Sequence, residues 1–256
     1  MYEGMLAETI GLQGHNGDPV VAYYSRPLGS GPLSGVVVIH HMPGWDEWTC
    51  EVVRKLAHHG YAAIAPHLYS RLGPGSPDDV AARARAGGGV ADDQVVGDVE
   101  GTMRFLRAQP YASGKVGAIG FCSGGRHVYL VACRLPDLDA AVDCWGGGVI
   151  VDDPAQLSEQ RPVAPIDLTA SLACPLLGIF GNDDHNPNVD QVNRTEAELQ
   201  RHGKSYEFHR YDGAGHGFFA VDRPAYRPEQ ATDAWAKVFG FFEAHLRQPA
   251  ARAATS

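Results

Sequence analysis

No Cys-x-x-Cys pair occurs among the five cysteines of this chain, Cys50, Cys122, Cys133, Cys144 and Cys174, and their number is odd. Both facts argue against a disulfide framework and for the reduced thiols of a cytosol, and at least one thiol is left to explain. Positive charge is also scarce: 21 Lys and Arg stand against 30 Asp and Glu, a formal net charge of -9. Nucleic-acid phosphates and anionic lipid both need clustered cations, so neither is an expected partner. No segment approaches the roughly 20 apolar residues of a membrane span. The opening MYEGMLAETIGLQGHNGDPV lacks a basic start followed by an apolar run, so no leader is read there and the expectation is a soluble, cytoplasmic protein.

What is present is ordinary globular composition, 44% hydrophobic and 20% charged over 256 residues, enough to bury a core around a preorganised site. One domain over residues 1–247 is expected, with a frayed tail at 248–256 and no internal repeat. A turn at Asn16 and Gly17 followed by a β-rich run reads as a hairpin at an antiparallel edge. Short continuously apolar runs then follow at 35–40, 61–66, 115–121, 140–145 and 175–181. Runs apolar on both faces fit buried parallel strands, and segments of helical spacing lie between them. The alternation predicts an α/β fold, a doubly wound, mostly parallel sheet with helices on both faces. A last strand at 205–213 precedes a helix from about Pro228 to Leu246, whose Trp235, Val238, Phe239 and Phe242 form a core stripe. The Pro-, Gly- and Asp-rich stretches 70–79 and 152–170 are expected to be irregular connections.

The chemistry concentrates in KVGAIGFCSGGRH, where a buried strand runs into Gly120, Phe121, Cys122, Ser123, Gly124 and Gly125 and then a helix. This is a nucleophile elbow with cysteine in the serine position. The central residue of such an elbow sits on a strained turn, and glycines two positions before and after let the backbones pass closely. Ser123 is the rival nucleophile, but its two-residue offsets are Phe121 and Gly125, so the frame centres on Cys122. The helix N-terminus favours a thiolate and receives an oxyanion, with the Ser123 amide as first donor. Cys50, Cys133, Cys144 and Cys174 read as small buried hydrophobes.

A thiol needs a base, and GAGHGFF places His216 in a glycine-flanked loop between the last strand and the last helix. The acid is expected after PLLGIFG, where GNDDHNPN offers Asp184 and, as a rival, Asp183; His185 beside them reads as solvent-facing or supporting. In VVVIHHMPGWDEW a strand ends before a helix, a loop suited to supplying a second oxyanion amide, here that of Met42. His40 and His41 with Asp183, Asp184 and His185 would be the ligands of a metal, but no HExxH or close Cys/His spacing supports one.

Together GFCSGG (120–125), GNDDH (181–185), AGHGF (214–218) and HGYAAIAPHLYSR (59–71) resemble the dienelactone hydrolase family, the carboxymethylenebutenolidases, over nearly the whole chain. The resemblance implies the α/β-hydrolase fold, Cys122, Asp184 and His216 as nucleophile, acid and base, no cofactor, and a small lactone or ester as substrate. In the family that substrate is a dienelactone opened to maleylacetate during aromatic degradation. Two departures stand out. The family glutamate that meets the resting thiol is matched here by His41. Of the arginines that hold the substrate carboxylate, the first is matched by Arg83 or Arg85, while Ala220 occupies the second place and leaves only Arg223 or Arg227 nearby. Tyr69 and Trp145 are candidates for the pocket wall, with core packing as the alternative. A general carboxylesterase or thioesterase and a noncatalytic thiol sensor are the rival readings, and both monomer and homodimer remain open.

Overall fold

The computed structural model describes residues 4–29 and 31–247, so the tail expected to fray lies outside the described residues. Eight strands form one sheet: β1 (Met5–Gln13), β2 (Pro19–Pro27), β3 (Leu33–Ile39), β4 (Ala62–Pro66), β5 (Ala112–Phe121), β6 (Ala140–Cys144), β7 (Leu176–Gly181) and β8 (Tyr206–Tyr211). Their order is β1-β2-β4-β3-β5-β6-β7-β8. The hairpin β1-β2 is antiparallel and joins β4 antiparallel, and every later pairing is parallel. This is the mostly parallel sheet expected, with an antiparallel edge where Asn16, at φ +56°, turns the hairpin.

Among the described residues six α-helices cover the faces: α1 (Glu47–His58), α2 (Pro77–Ala86), α3 (Asp92–Arg107), α4 (Ser123–Arg134), α5 (Val189–Arg201) and α6 (Pro228–Leu246). Because side chains alternate across a strand, β3 feeds two cores at once. Val36 and Val38 pack with Val52, Val53 and Leu56 of α1 and with Val238 and Phe242 of α6. Val37 and Ile39 point the other way, onto Val95 and Val99 of α3 and Val128 of α4. The stripe on α6 does pack inward: Val238 and Phe242 are fully buried, and Phe239 stacks on His59 with centroids 3.6 Å apart.

One expectation needs correction. The stretch 70–79 is not irregular throughout: Ser70–Leu72 make a 3-10 turn, and α2 begins at Pro77. The reason is local, since the Ser76 hydroxyl accepts the Asp79 N–H at 3.2 Å and Pro77 stands at the first helical position, where its missing N–H costs nothing. The 152–170 stretch holds only short 3-10 turns, at Pro154–Gln156 and Pro165–Ser171.

β3 is flanked by β4 on one side and β5 on the other, so the strand order reverses there, and in open α/β sheets ligands bind at the carboxyl ends of the strands at such a switch point. The loops that follow β3, β5, β7 and β8 carry Met42, Cys122, Asp184 and His216. Four distant stretches of sequence therefore meet at one edge of the sheet.

Candidate active site

Cys122 sits between β5 and α4 with φ +56° and ψ -121°, a conformation uncommon for any residue with a Cβ. The glycines around it are there for space. A Cβ at Gly120 would lie 2.1 Å from the Gly124 carbonyl oxygen, and one at Gly124 would lie 2.1 Å from that of Ile39. Neither obstacle is a flexible side chain, so Gly124→Ala is expected to lower the unfolding free energy by on the order of 3 kcal/mol, read from the urea midpoint. An unchanged midpoint would mean that the elbow yields.

Held this way, the half-buried sulfur takes hydrogen bonds from His216 and from the backbone N–H groups of Ser123 and Met42. Burial by itself would push the thiol up, but these three donors and the charge of His216 outweigh it, so Cys122 lies below its ordinary value. The other cysteines lie the opposite way. Burial drives Cys50 up to about 11 and Cys133 and Cys174 up to about 12, and it likewise raises Cys144 well above the ordinary thiol value.

His216 Nδ1 lies 2.8 Å from Asp184 Oδ2, which leaves Nε2 for the sulfur. Burial disfavours the imidazolium, yet the Asp184 and Cys122 partners prevail and raise His216 to about 10. Asp184 is buried, and its other oxygen accepts the Asn186 N–H at 2.9 Å, so the carboxylate is pinned at both ends. Of the two acids weighed, only Asp184 reaches the histidine; Asp183 and His185 are exposed.

The loop after β3 is held by its own histidines. His40 accepts the Leu68 N–H at Nε2 (3.2 Å) and donates from Nδ1 to the His41 carbonyl (2.8 Å). Burial lowers His40 to about 3, so it stays a neutral pin. His41 Nε2 meets Asp46 Oδ2 at 2.7 Å, while the other Asp46 oxygen caps α1 through Thr49. Burial alone would raise Asp46, but His41 and Thr49 bring it down to about 2. Among the described residues no group of three or more His, Cys, Asp or Glu side chains gathers as a metal site.

Tyr69 is buried, and its hydroxyl donates to the Met42 carbonyl at 3.0 Å, which steadies the residue whose amide reaches the sulfur. Trp145 lies edge-on to His216 at 6.4 Å with φ +43° and packs on Phe218 and Phe219, a wall beneath the imidazole. The arginine candidates separate. Arg83 donates to the carbonyls of Gly73 and Pro74, and Arg227 to those of Gly213, Pro224 and Tyr226, so both brace loops. Arg85 is exposed with its charge felt at Tyr69, and Arg223 stands 4.0 Å from Asp46.

Residues 20–246 match the model of the dienelactone hydrolase family. The chain belongs to that family. A Methylorubrum extorquens protein named "putative carboxymethylenebutenolidase" is 32% identical over 248 residues, 93% of this chain and 81% of that one. A Bradyrhizobium protein named "probable 2-oxo-3-(5-oxofuran-2-ylidene)propanoate lactonase" is 31% identical over 252 residues, 94% of this chain and 98% of its own. The crystal structure of a "putative dienelactone hydrolase" from Klebsiella pneumoniae superposes with a TM-score of 0.86 at 29% identity, covering 95% of this chain and 100% of that one.

For a member of the dienelactone hydrolase family, two features at this site escape sequence reading. The pairing of His41 with Asp46 joins residues whose spacing, five apart across a loop, matches no motif. The charge of Arg161, on the 152–170 stretch, is felt at Tyr69, and no sequence pattern singles it out.

Proposed function

We propose that this family member hydrolyses small lactones or carboxylic esters with Cys122 as nucleophile, His216 as acid and base, and Asp184 as the residue that orients the imidazole. One observation carries the reading: sulfur, imidazole and buried carboxylate lie in a single hydrogen-bonded line, with the Ser123 and Met42 amides already directed at the sulfur. Thiolate attack on the carbonyl carbon places the developing oxyanion beside those amides, donors already oriented where the charge develops. Collapse expels the alkoxide or enolate, which takes the proton held on His216, and a thioester remains on Cys122. The now neutral imidazole removes a proton from water, the hydroxide adds to the thioester, and the thiolate leaves with its ion pair restored.

Sulfur suits a substrate with a good leaving group, since a thiolate attacks readily while its thioester must still be hydrolysed. An enol lactone offers that leaving group, and the Bradyrhizobium relative is named for a lactone of this kind. The acidic composition, together with free thiols and the absence of any helix long and apolar enough to cross a membrane among the described residues, supports work on small molecules in the cytoplasm.

Mixing the protein with para-nitrophenyl acetate or an enol lactone and quenching in acid is expected to yield one acyl group per chain by intact mass. Neutral hydroxylamine should remove it, with the adduct mapping to Cys122. An oxygen ester on Ser123, or no adduct and no turnover, would overturn the proposal. Faster turnover of simple aryl esters than of any lactone would mark a general carboxylesterase.

A further inference from the structure

The second oxyanion donor comes from a short turn. After β3 the chain reads His40, His41, Met42, Pro43 and Gly44. Pro43 has no N–H, and that of Gly44 is turned inward, donating to the His41 carbonyl at 2.9 Å. The Met42 N–H is the one that meets the sulfur. It belongs to the same planar unit as the His41 carbonyl, and across a trans peptide the two point opposite ways. Whatever grips that carbonyl therefore aims that N–H.

His40 grips it from behind. Its ring is buried and lies edge-on to Tyr69 with centroids 4.7 Å apart. Nε2 accepts the Leu68 N–H at 3.2 Å, and a backbone N–H can only donate, so the ring proton sits on Nδ1. That proton goes to the His41 carbonyl at 2.8 Å. The Leu68 end is itself fixed, because Gln94 of α3 donates to the Leu68 carbonyl at 2.9 Å. Burial lowers His40 to about 3, so the neutral ring keeps one tautomer as pH changes around neutrality. With Gly44 and His40 both donating to it, the His41 carbonyl is more polarised than with either alone, and the N–H opposite becomes a stronger donor. The turn is already closed by the Gly44 bond and by the Tyr69 hydroxyl on the Met42 carbonyl at 3.0 Å. A ring present only to fill space would not need both nitrogens matched.

We infer that His40 is a positioning residue for the hydrolytic step: its Nδ1–H fixes and polarises the peptide that carries the Met42 oxyanion donor. The assignment rests on the hydrolytic reading above and gives His40 a part in the rate, beyond holding the loop.

Two substitutions divide the imidazole into its halves. Asn ends near where Nδ1 stands and can still donate to the His41 carbonyl; Gln reaches as far as Nε2 and can still accept the Leu68 N–H. With para-nitrophenyl acetate, His40→Gln is expected to lower kcat by about 10- to 100-fold with KM within about 3-fold, since the oxyanion develops only on the way to the transition state. His40→Asn should restore about 10-fold of that loss, although each variant gives up one buried hydrogen bond and the two urea midpoints should fall alike. The Cys122 thiolate reads the same N–H without turnover. The midpoint of iodoacetamide alkylation against pH should rise by about 0.5 to 1 unit in His40→Gln and by less than about half as much in His40→Asn. Heteronuclear NMR of the unmodified protein with nitrogen-labelled histidine needs no variant: His40 should keep its proton on Nδ1 from about pH 5 to 9. Equal kinetic losses in the two variants, a greater loss in His40→Asn, or an effect on KM alone would make His40 a loop staple and overturn the inference. So would a proton on Nε2 or a ring that titrates in that range. If the unmodified protein turns over no ester while the midpoints and the ring behave as described, the hydrolytic reading fails and His40 still aims the Met42 amide at the sulfur.

Discussion

Cys122→Ala is expected to reduce kcat on an activated aryl ester by on the order of 10⁶-fold, the scale on which loss of a nucleophile is felt in a catalytic triad. The size follows from the lack of a substitute. Ser123 meets the sulfur through its amide, and the four remaining cysteines are buried with thiols driven well above neutrality. Nothing else near His216 becomes a nucleophile when the sulfur is gone. Native-state alkylation provides the control: one iodoacetamide per chain in the unmodified protein, none in the variant, with the same urea midpoint. Substantial activity in a folded Cys122→Ala protein would remove the central assignment.

His216→Gln should cost a comparable factor, and its pH profile says more than its rate. On the proposed mechanism the reactive species is thiolate beside imidazolium. It forms as pH rises through the depressed Cys122 ionisation and is lost as pH rises further through that of His216, at about 10. Below this window the sulfur is protonated and cannot attack; above it no proton is available for the leaving group. The profile of kcat/KM is therefore a bell whose alkaline limb belongs to His216. Glutamine keeps the bulk but carries no charge, so the burial that opposes the thiolate is no longer offset and the Cys122 ionisation moves upward. Alkylation rate against pH should show a midpoint below the thiol's ordinary value in the unmodified protein and above it in the variant. An unmoved midpoint would mean that the two amides alone hold the thiolate.

Much of this could be read from the chain because the elbow is a local object. Gly120, Cys122 and Gly124 are two residues apart; Gly120 is required by the Gly124 carbonyl that the turn itself brings near, and Gly124 by the Ile39 carbonyl of the adjacent β3. Asp184 could be distinguished from Asp183 by its distance from the end of β7, since a strand end fixes where the following side chains point. Other features depended on contacts between distant segments. Tyr69 and Trp145 were ambiguous between wall and core because their neighbours, Met42 and Phe218, come from remote stretches. Arg83 matched a family position, yet its guanidinium is taken up by Gly73 and Pro74. The start of α2 was hidden by a composition of Pro, Gly and Asp that reads as loop, although Ser76 and Pro77 are good helix-opening residues. The buried pair of Asp92 with Arg126 joins α3 to α4, a contact with no local signature.

The left-handed backbone at residue 122 sets which elements can occupy the tip of the elbow. A side chain branched at Cβ would crowd its own backbone at that φ, whereas cysteine and serine, alike in shape and unbranched, both fit. The scaffold is thus indifferent to whether the tip atom is oxygen or sulfur, and a single atomic exchange would move the protein between two reactivity classes without rebuilding any loop.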